Sequence, residues 1–198
     1  GKSMSGDQNR VLQQLQIPRV VARELGEKTV QILEAGFYLT RSQKEIDLRS
    51  DIDAAVNGTV SYPPEQKLPQ HAAPRGETRI DVRNQTSLAA FNNLTHAGLT
   101  PAILNFASAL QPGGGFLNGA RAQEEYLARS STLWMCLRDH PMYAYHHAPG
   151  HDNNPFYSDY VIYSPRVMVL RNDDGQLLEK PYPCAIITSP AVHAKGVR

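Results

Sequence analysis

The chain is poor in cysteine, in long apolar runs and in excess charge of either sign, and each shortage excludes a class of protein. Its two cysteines, Cys136 and Cys184, in 198 residues make neither a disulfide framework nor a metal-binding spacing. They read as reduced core residues, so an intracellular, cytoplasmic setting is expected, or a nuclear one in a eukaryote. No apolar stretch approaches the roughly 20 residues that span a bilayer, so no membrane role is expected. With 20 basic against 19 acidic side chains there is no global positive field, and direct nucleic-acid binding driven by phosphate neutralisation is not expected. Neither a secretory-signal pattern nor an internal repeat is visible.

What is present is enough chain for one substantial core, arranged as alternating elements. Apolar periodicity predicts a helix from Arg19 to Ala35 closed by Gly36, and a short helix over Ile52 to Val56 before the Asn57-Gly58 turn. A polar, proline-rich connector runs from Tyr62-Pro63-Pro64 to Pro74-Arg75-Gly76. After it come a strand near Thr78 to Val82, a helix near Ser87 to Ala97 and a short apolar run, Pro101 to Ala107, that reads as a buried strand with Asn105 near its carboxyl end. Residues 1–75 are thus read as a tail and helical accessory segment, and 76–198 as the main alternating α/β region. Further on, Tyr126, Leu127, Ser130, Leu133, Trp134 and Leu137 recur at helical spacing. His146, His147 and His151 beside Asp152 satisfy no zinc spacing and are interrupted by Pro149-Gly150, so a polar surface loop without metal is expected. The tyrosines from Tyr143 to Tyr163 read as core and strand residues.

The most informative stretch is Gly113-Gly114-Gly115 followed by Gln123-Glu124-Glu125. Glycines allow positive φ and close backbone approach, and a following helix start adds unpaired N–H donors, so the loop suits a diphosphate. The helix starts after either Asn118 or Ala122; the first is a fair N-cap, the second a poor one that leaves donors free. The P-loop pattern fails because Asn118-Gly119 stands where Lys-Ser/Thr is needed, and the Rossmann pattern fails at Asn118. Neighbouring helical residues diverge by about 100°, so Glu124 and Glu125 cannot both face one reacting carbon and must have different roles. Taken singly, a glycine turn is an ordinary connection, a first-turn glutamate pair is an ordinary solvated dipole partner, and Asn105 is an ordinary strand end. Their coincidence points to hydrolysis.

Leu104-Asn105-Phe106-Ala107-Ser108-Ala109, Pro112 to Phe116 and Gly119 through Gln123-Glu124-Glu125-Tyr126-Leu127 resemble the microbial-type poly(ADP-ribose) glycohydrolases. Ile80-Asp81-Val82, Tyr160 to Val169 and Ile186 to Ala191 extend the similarity over most of the chain. The resemblance implies an α/β fold, a macrodomain-like three-layer arrangement with a mixed central sheet and an N-terminal helical extension. It implies Glu125 and Glu124 as the catalytic residues and Asn105, Gly113, Gly114, Gly115 and Gln123 as substrate-binding, with no cofactor and no metal. In this scheme the glycines wrap the diphosphate, Asn105 and Glu124 hold the distal ribose, and Glu125 protonates the departing ribose oxygen before activating water. The implied partners are poly(ADP-ribose) or an ADP-ribosylated protein, with ADP-ribose as product. A hydrolase of single ADP-ribose modifications and a non-catalytic ADP-ribose-binding module are the alternatives. In the family the chain continues past Pro190-Ala191 into a second glycine-rich loop, so this chain is expected to be a fragment lacking that carboxyl-terminal part.

Overall fold

A computed structural model describes residues 17–73, 76–151 and 154–192. Helix α1 (Arg19–Ala35) begins after Pro18, whose φ of −58° suits a helix entry, and ends at Gly36, whose φ of +81° lets its N–H reach Ile32 O at 2.8 Å. Two short strands follow, β1 (Phe37–Leu39) and β2 (Glu45–Asp47), paired antiparallel. Next come α2 (Arg49–Asn57), β3 (Val60–Tyr62) and α3 (Ser87–His96), the last capped by Thr86, whose Oγ1 accepts from Ala89 N at 3.1 Å. The remaining elements are β4 (Ala102–Ala107), α4 (Gln123–Ser130), α5 (Leu133–Leu137), α6 (Pro141–His147), β5 (Val161–Arg171) and β6 (Leu177–Pro190).

Strands β3, β5, β6 and β4 form one mixed sheet in that order, with β4 parallel to β6 and the other pairs antiparallel. Period-two alternation in β4 buries Ile103, Asn105 and Ala107 while Ala102, Leu104 and Phe106 face outward, so the run expected to be a buried strand is covered on one face only. The buried face joins Leu127, Leu133, Leu137, Met142, Ile162, Val169 and Ile186 in the main core; each such side chain contributes about 1.5–3 kcal/mol by burial. A second cluster packs Leu33, Tyr38, Leu48 and Ile52 against Met168 and Leu170. Strand β5 is therefore covered on both faces along its carboxyl-terminal half, with the amino-terminal elements forming the layer opposite the main helices. Cys136 and Cys184 are buried and unpaired.

Four expectations need correction. Residues 78–82 form no strand: they have no ladder partner among the described residues, and Ile80 and Val82 are 85% and 90% exposed. A strand needs a neighbour, and here Arg83 instead folds back to Asp81 at 2.7 Å. The helix through Leu137 is broken at Ser131 and Thr132, because Ser131 bridges Val169 and Thr132 exchanges bonds with Met168, donating N–H to its oxygen at 2.9 Å and accepting its N–H on Oγ1 at 2.9 Å. The histidine segment is no surface loop at its start: His146 and His147 end α6, and His146 is buried among Tyr145, Tyr157 and Tyr160. Asp152 lies outside the described residues. Tyr143 and Tyr145 are helical rather than strand residues, Tyr143 being part of the core. Among the described residues no helix is long and apolar enough to cross a membrane, and no group of three or more His, Cys, Asp or Glu is placed to hold a metal ion.

Candidate active site

The site grows from the end of β4. Beyond Ala107, Ser108 turns the chain with its Oγ, which accepts from Leu110 N at 3.2 Å and Gln111 N at 3.1 Å. Gly114 N then donates to Gln111 O at 3.0 Å, with Gly113 and Gly114 at φ of +73° and +60°. A 3-10 turn, Phe116–Asn118, follows and closes at Gly119. Helix α1 supports this turn: Gly26 lies so near that a β-carbon there would be 2.9 Å from Phe116 O, and Arg19 Nε donates to Asn118 O at 3.0 Å. The same helix is tied to the end of α4 by Thr29, which donates to Arg129 O at 2.6 Å and accepts from Arg171 Nε at 3.0 Å. Of the two helix starts open from sequence, Ala122 is the N-cap, and it provides no side-chain cap.

The two glutamates point apart. Glu124 turns inward, 3% exposed, with Oε1 accepting from Ser108 N at 2.8 Å and Oε2 from Asn105 Nδ2 at 3.2 Å. Burial pushes its carboxyl up to about 7, helped by the neighbouring Glu125 charge and opposed by the N–H groups of Ser108, Asn105 and Gly113. Asn105, 0% exposed, also donates to Thr188 Oγ1 at 3.2 Å across the parallel β4–β6 register, while its Oδ1 is buried without a hydrogen-bond partner. Glu125 is half-buried and turns toward the loop, where Oε1 accepts from Gly115 N at 3.3 Å. Both carboxylates meet at Gly114: a β-carbon there would stand 2.9 Å from Glu125 Oε1 and 3.0 Å from Glu124 Oε1. Glycine loop, Asn105, Glu124 and Glu125 thus occupy one place, with backbone N–H groups beside two differently placed acids.

Gln123 acts on the outer edge of β4. Its Oε1 accepts from Phe106 N at 2.9 Å, and its Nε2 donates to Leu104 O at 2.9 Å and Ser87 Oγ at 3.1 Å. The side-chain amide takes the bonds that a peptide unit of a neighbouring strand would take, so Gln123, expected to bind substrate, has both amide atoms engaged by β4 and Ser87. A groove of about 780 Å³ lies beside it, lined by Arg83, Phe91, Leu104, Phe106 and Gln123 among others. Sequence reasoning missed Ser108, which touches Glu124 through its N–H and sets the turn through its hydroxyl, and Thr188, which orients Asn105. A serine directly after a strand is a turn signal that could have exposed Ser108; Thr188 is brought in only by strand register.

The family model for the catalytic domain of microbial-type poly(ADP-ribose) glycohydrolase (PARG) matches residues 26–172. Among solved structures, PARG from Thermomonospora curvata is 45% identical, with 89% of this chain and 66% of that chain covered and a TM-score of 0.78. The same protein bound to the inhibitor ADP-HPD gives 45% identity, coverage of 90% and 65%, and a TM-score of 0.78. PARG from Deinococcus radiodurans in complex with ADP-ribose is 39% identical, with 74% of this chain and 60% of that chain covered and a TM-score of 0.63. The chain therefore spans slightly less than two thirds of the length of these structures. No curated protein matches it.

Proposed function

Since the chain belongs to the microbial-type PARG catalytic-domain family, we propose that it hydrolyses the ribose–ribose glycosidic bonds of poly(ADP-ribose) and releases ADP-ribose. The observation that carries this reading is the convergence at Gly114, a positive-φ backbone position free of any side chain, where a β-carbon would lie within 3.0 Å of an oxygen of each carboxylate. The ADP-ribose and ADP-HPD bound by the related PARG proteins supply the ligand chemistry that such a loop suits.

The parts then divide the work. Gly113, Gly114 and Gly115, bare of side chains, let the diphosphate approach the loop backbone, whose N–H groups exchange their internal bonds to Glu124, Gln111 and Glu125 for phosphate oxygens. Asn105 and Glu124 hold the distal ribose: the inward carboxylate is fixed by Ser108 and Asn105 and has acceptor capacity for a sugar hydroxyl. Glu125 gives its proton to the departing ribose oxygen as the anomeric C–O bond breaks. The resulting carboxylate takes a proton from the water that attacks the anomeric carbon, which restores the acid and leaves ADP-ribose with a new hydroxyl. One working acid suffices because the transition state is oxocarbenium-like and leaving-group protonation is the main demand. Gln123 contributes by fixing the start of α4 against β4, which aims both glutamates. Helix α1 acts as a support that braces the loop, and the free buried thiols suit a reducing, cytoplasmic setting.

The deciding variant is Glu125→Gln. ADP-ribose binding, read by calorimetry, is expected to survive, while release of ADP-ribose from automodified polymer falls by roughly a hundredfold or more. Retained turnover would overturn the role of Glu125. Parent-chain release from mono-modified protein but not from polymer would move the substrate to single modifications, and binding without release from either would leave an ADP-ribose-binding module.

A further inference from the structure

We propose that His146 and His147 are positioning residues for the diphosphate loop: side by side at the end of α6, they hold two consecutive peptide carbonyls of the connection leading from β4 into Gly113–Gly115. This inference deepens the functional reading above and rests on it for the ligand.

His146 Nδ1 lies 3.2 Å from Ala109 O, and His147 Nε2 lies 3.1 Å from Leu110 O. A carbonyl oxygen can only accept, so each of these nitrogens carries a hydrogen. Adjacent helical residues diverge, and the two rings still reach neighbouring carbonyls because His146 uses its near nitrogen and His147 its far one. The other side of the same two peptide planes is also held. The plane that carries Ala109 O carries the Leu110 N–H, and the plane that carries Leu110 O carries the Gln111 N–H; both N–H groups go to Ser108 Oγ, at 3.2 and 3.1 Å. Each plane is thus pinned from opposite sides, and turning either one over would break a bond to Ser108 and a bond to a histidine together. The next carbonyl, Gln111 O, accepts from Gly114 N at 3.0 Å, so the orientation fixed at 109–111 passes directly into the glycines. A loop already held in shape binds without the cost of ordering it.

His146 is built for the task. It is 1% exposed, its Nε2 sits 2.7 Å from Ser158 Oγ, and three tyrosine rings pack edge-on around it. Burial holds the imidazole neutral by lowering its affinity for a second proton. With Nδ1 donating to Ala109, Nε2 then accepts from the Ser158 hydroxyl, which fixes the ring tautomer. A buried histidine that merely filled the core would need no matched neighbour, whereas His147 is exposed and makes the parallel bond.

Two pairs of variants test the clamp. His147→Ala removes an exposed ring and leaves the core intact, and His147→Gln keeps an N–H donor at the far-nitrogen position; His146→Phe fills the buried space without a donor, and His146→Asn keeps one at the near-nitrogen position. His147→Ala is expected to weaken ADP-ribose binding about fivefold and to speed amide exchange at Leu110 and Gln111, with the thermal midpoint unchanged; His147→Gln is expected to restore both. His146→Asn should likewise outperform His146→Phe. Unchanged exchange at Leu110 and Gln111 in His147→Ala, no rescue by His147→Gln, or faster exchange spread evenly over the sheet would each overturn the clamp. A parent chain with no affinity for ADP-ribose would sink the functional reading instead, and the exchange measurements would still decide the clamp.

Discussion

At the scale of single residues, Gly114 and Glu124 carry the sharpest consequences. Gly114 combines a φ of +60° with a position where a β-carbon would stand 2.9 Å from the Glu125 carboxylate and 3.0 Å from that of Glu124. Gly114→Ala is therefore expected to cost about 1 kcal/mol or more of stability through the left-handed backbone and, more tellingly, to displace both acids. Calorimetry and polymer turnover should both fall, turnover the more. Glu124 is held at an elevated pKa of about 7 by burial, above the ordinary carboxylate value that the unfolded chain has. The folded state thus keeps a proton that the unfolded state releases. This contribution to stability is fully present below the unfolded pKa, and it is lost as pH rises from there through about 7. Glu124→Gln removes the titration and retains an acceptor for Ser108 N; its NH2 replaces the oxygen that faces Asn105 Nδ2, so the Asn105 amide must turn over to present its unpartnered Oδ1. Thermal melts from pH 4 to 8 should show the variant losing the downward slope of the parent and exceeding it in stability at pH 8, with weaker ADP-ribose binding. An identical pH slope in parent and variant would place the titration elsewhere.

At the scale of elements, the loop is only as fixed as the helix behind it. A glycine in the middle of α1 is unfavourable by about 1 kcal/mol relative to alanine, yet Gly26 is where α1 approaches the 3-10 turn so closely that a β-carbon would stand 2.9 Å from Phe116 O. Gly26→Val is expected to push α1 off the turn, with a loss of about 1–3 kcal/mol in denaturant unfolding and a parallel loss of ADP-ribose affinity. Elements with strong local signals were legible in the sequence: α1 through its period and closing glycine, β4 as a short apolar run, and the glycine loop with its tandem glutamates. What escaped depends on partners far along the chain. Apolar spacing runs on through Ser131 and Thr132 because α4 and α5 bury the same side, and only the contacts with Met168 and Val169 reveal the break. Residues 78–82 have strand-like composition, but β-propensity is a packing preference and no neighbour pairs with them among the described residues. His146 reads as loop because Pro149-Gly150 follows it, and its burial is set by Tyr157, Ser158 and Tyr160 arriving from the next connection.

At the scale of the whole molecule, a near-neutral chain is proposed to act on a polyanion, and the two facts constrain how it binds. The formal net charge is +1, so no broad field gathers the polymer, and the donors at the glycine loop are backbone N–H groups. Outward from β4, the surface exposes the apolar Leu104 and Phe106, 44% and 60% exposed, and Arg83 in the same groove is held by Asp81. Counterion release follows the number of phosphates neutralised by lysine and arginine, and a loop of backbone amides neutralises few. A plot of log affinity for poly(ADP-ribose) against log salt concentration should therefore have a slope of magnitude below about two. Fluorescence titration of labelled polymer from low to high salt measures it directly. A slope of about six would mean that the polymer lies along cationic side chains and that the glycine loop is a minor contact. A shallow slope together with loss of binding in Gly114→Ala would assign the affinity to the loop itself.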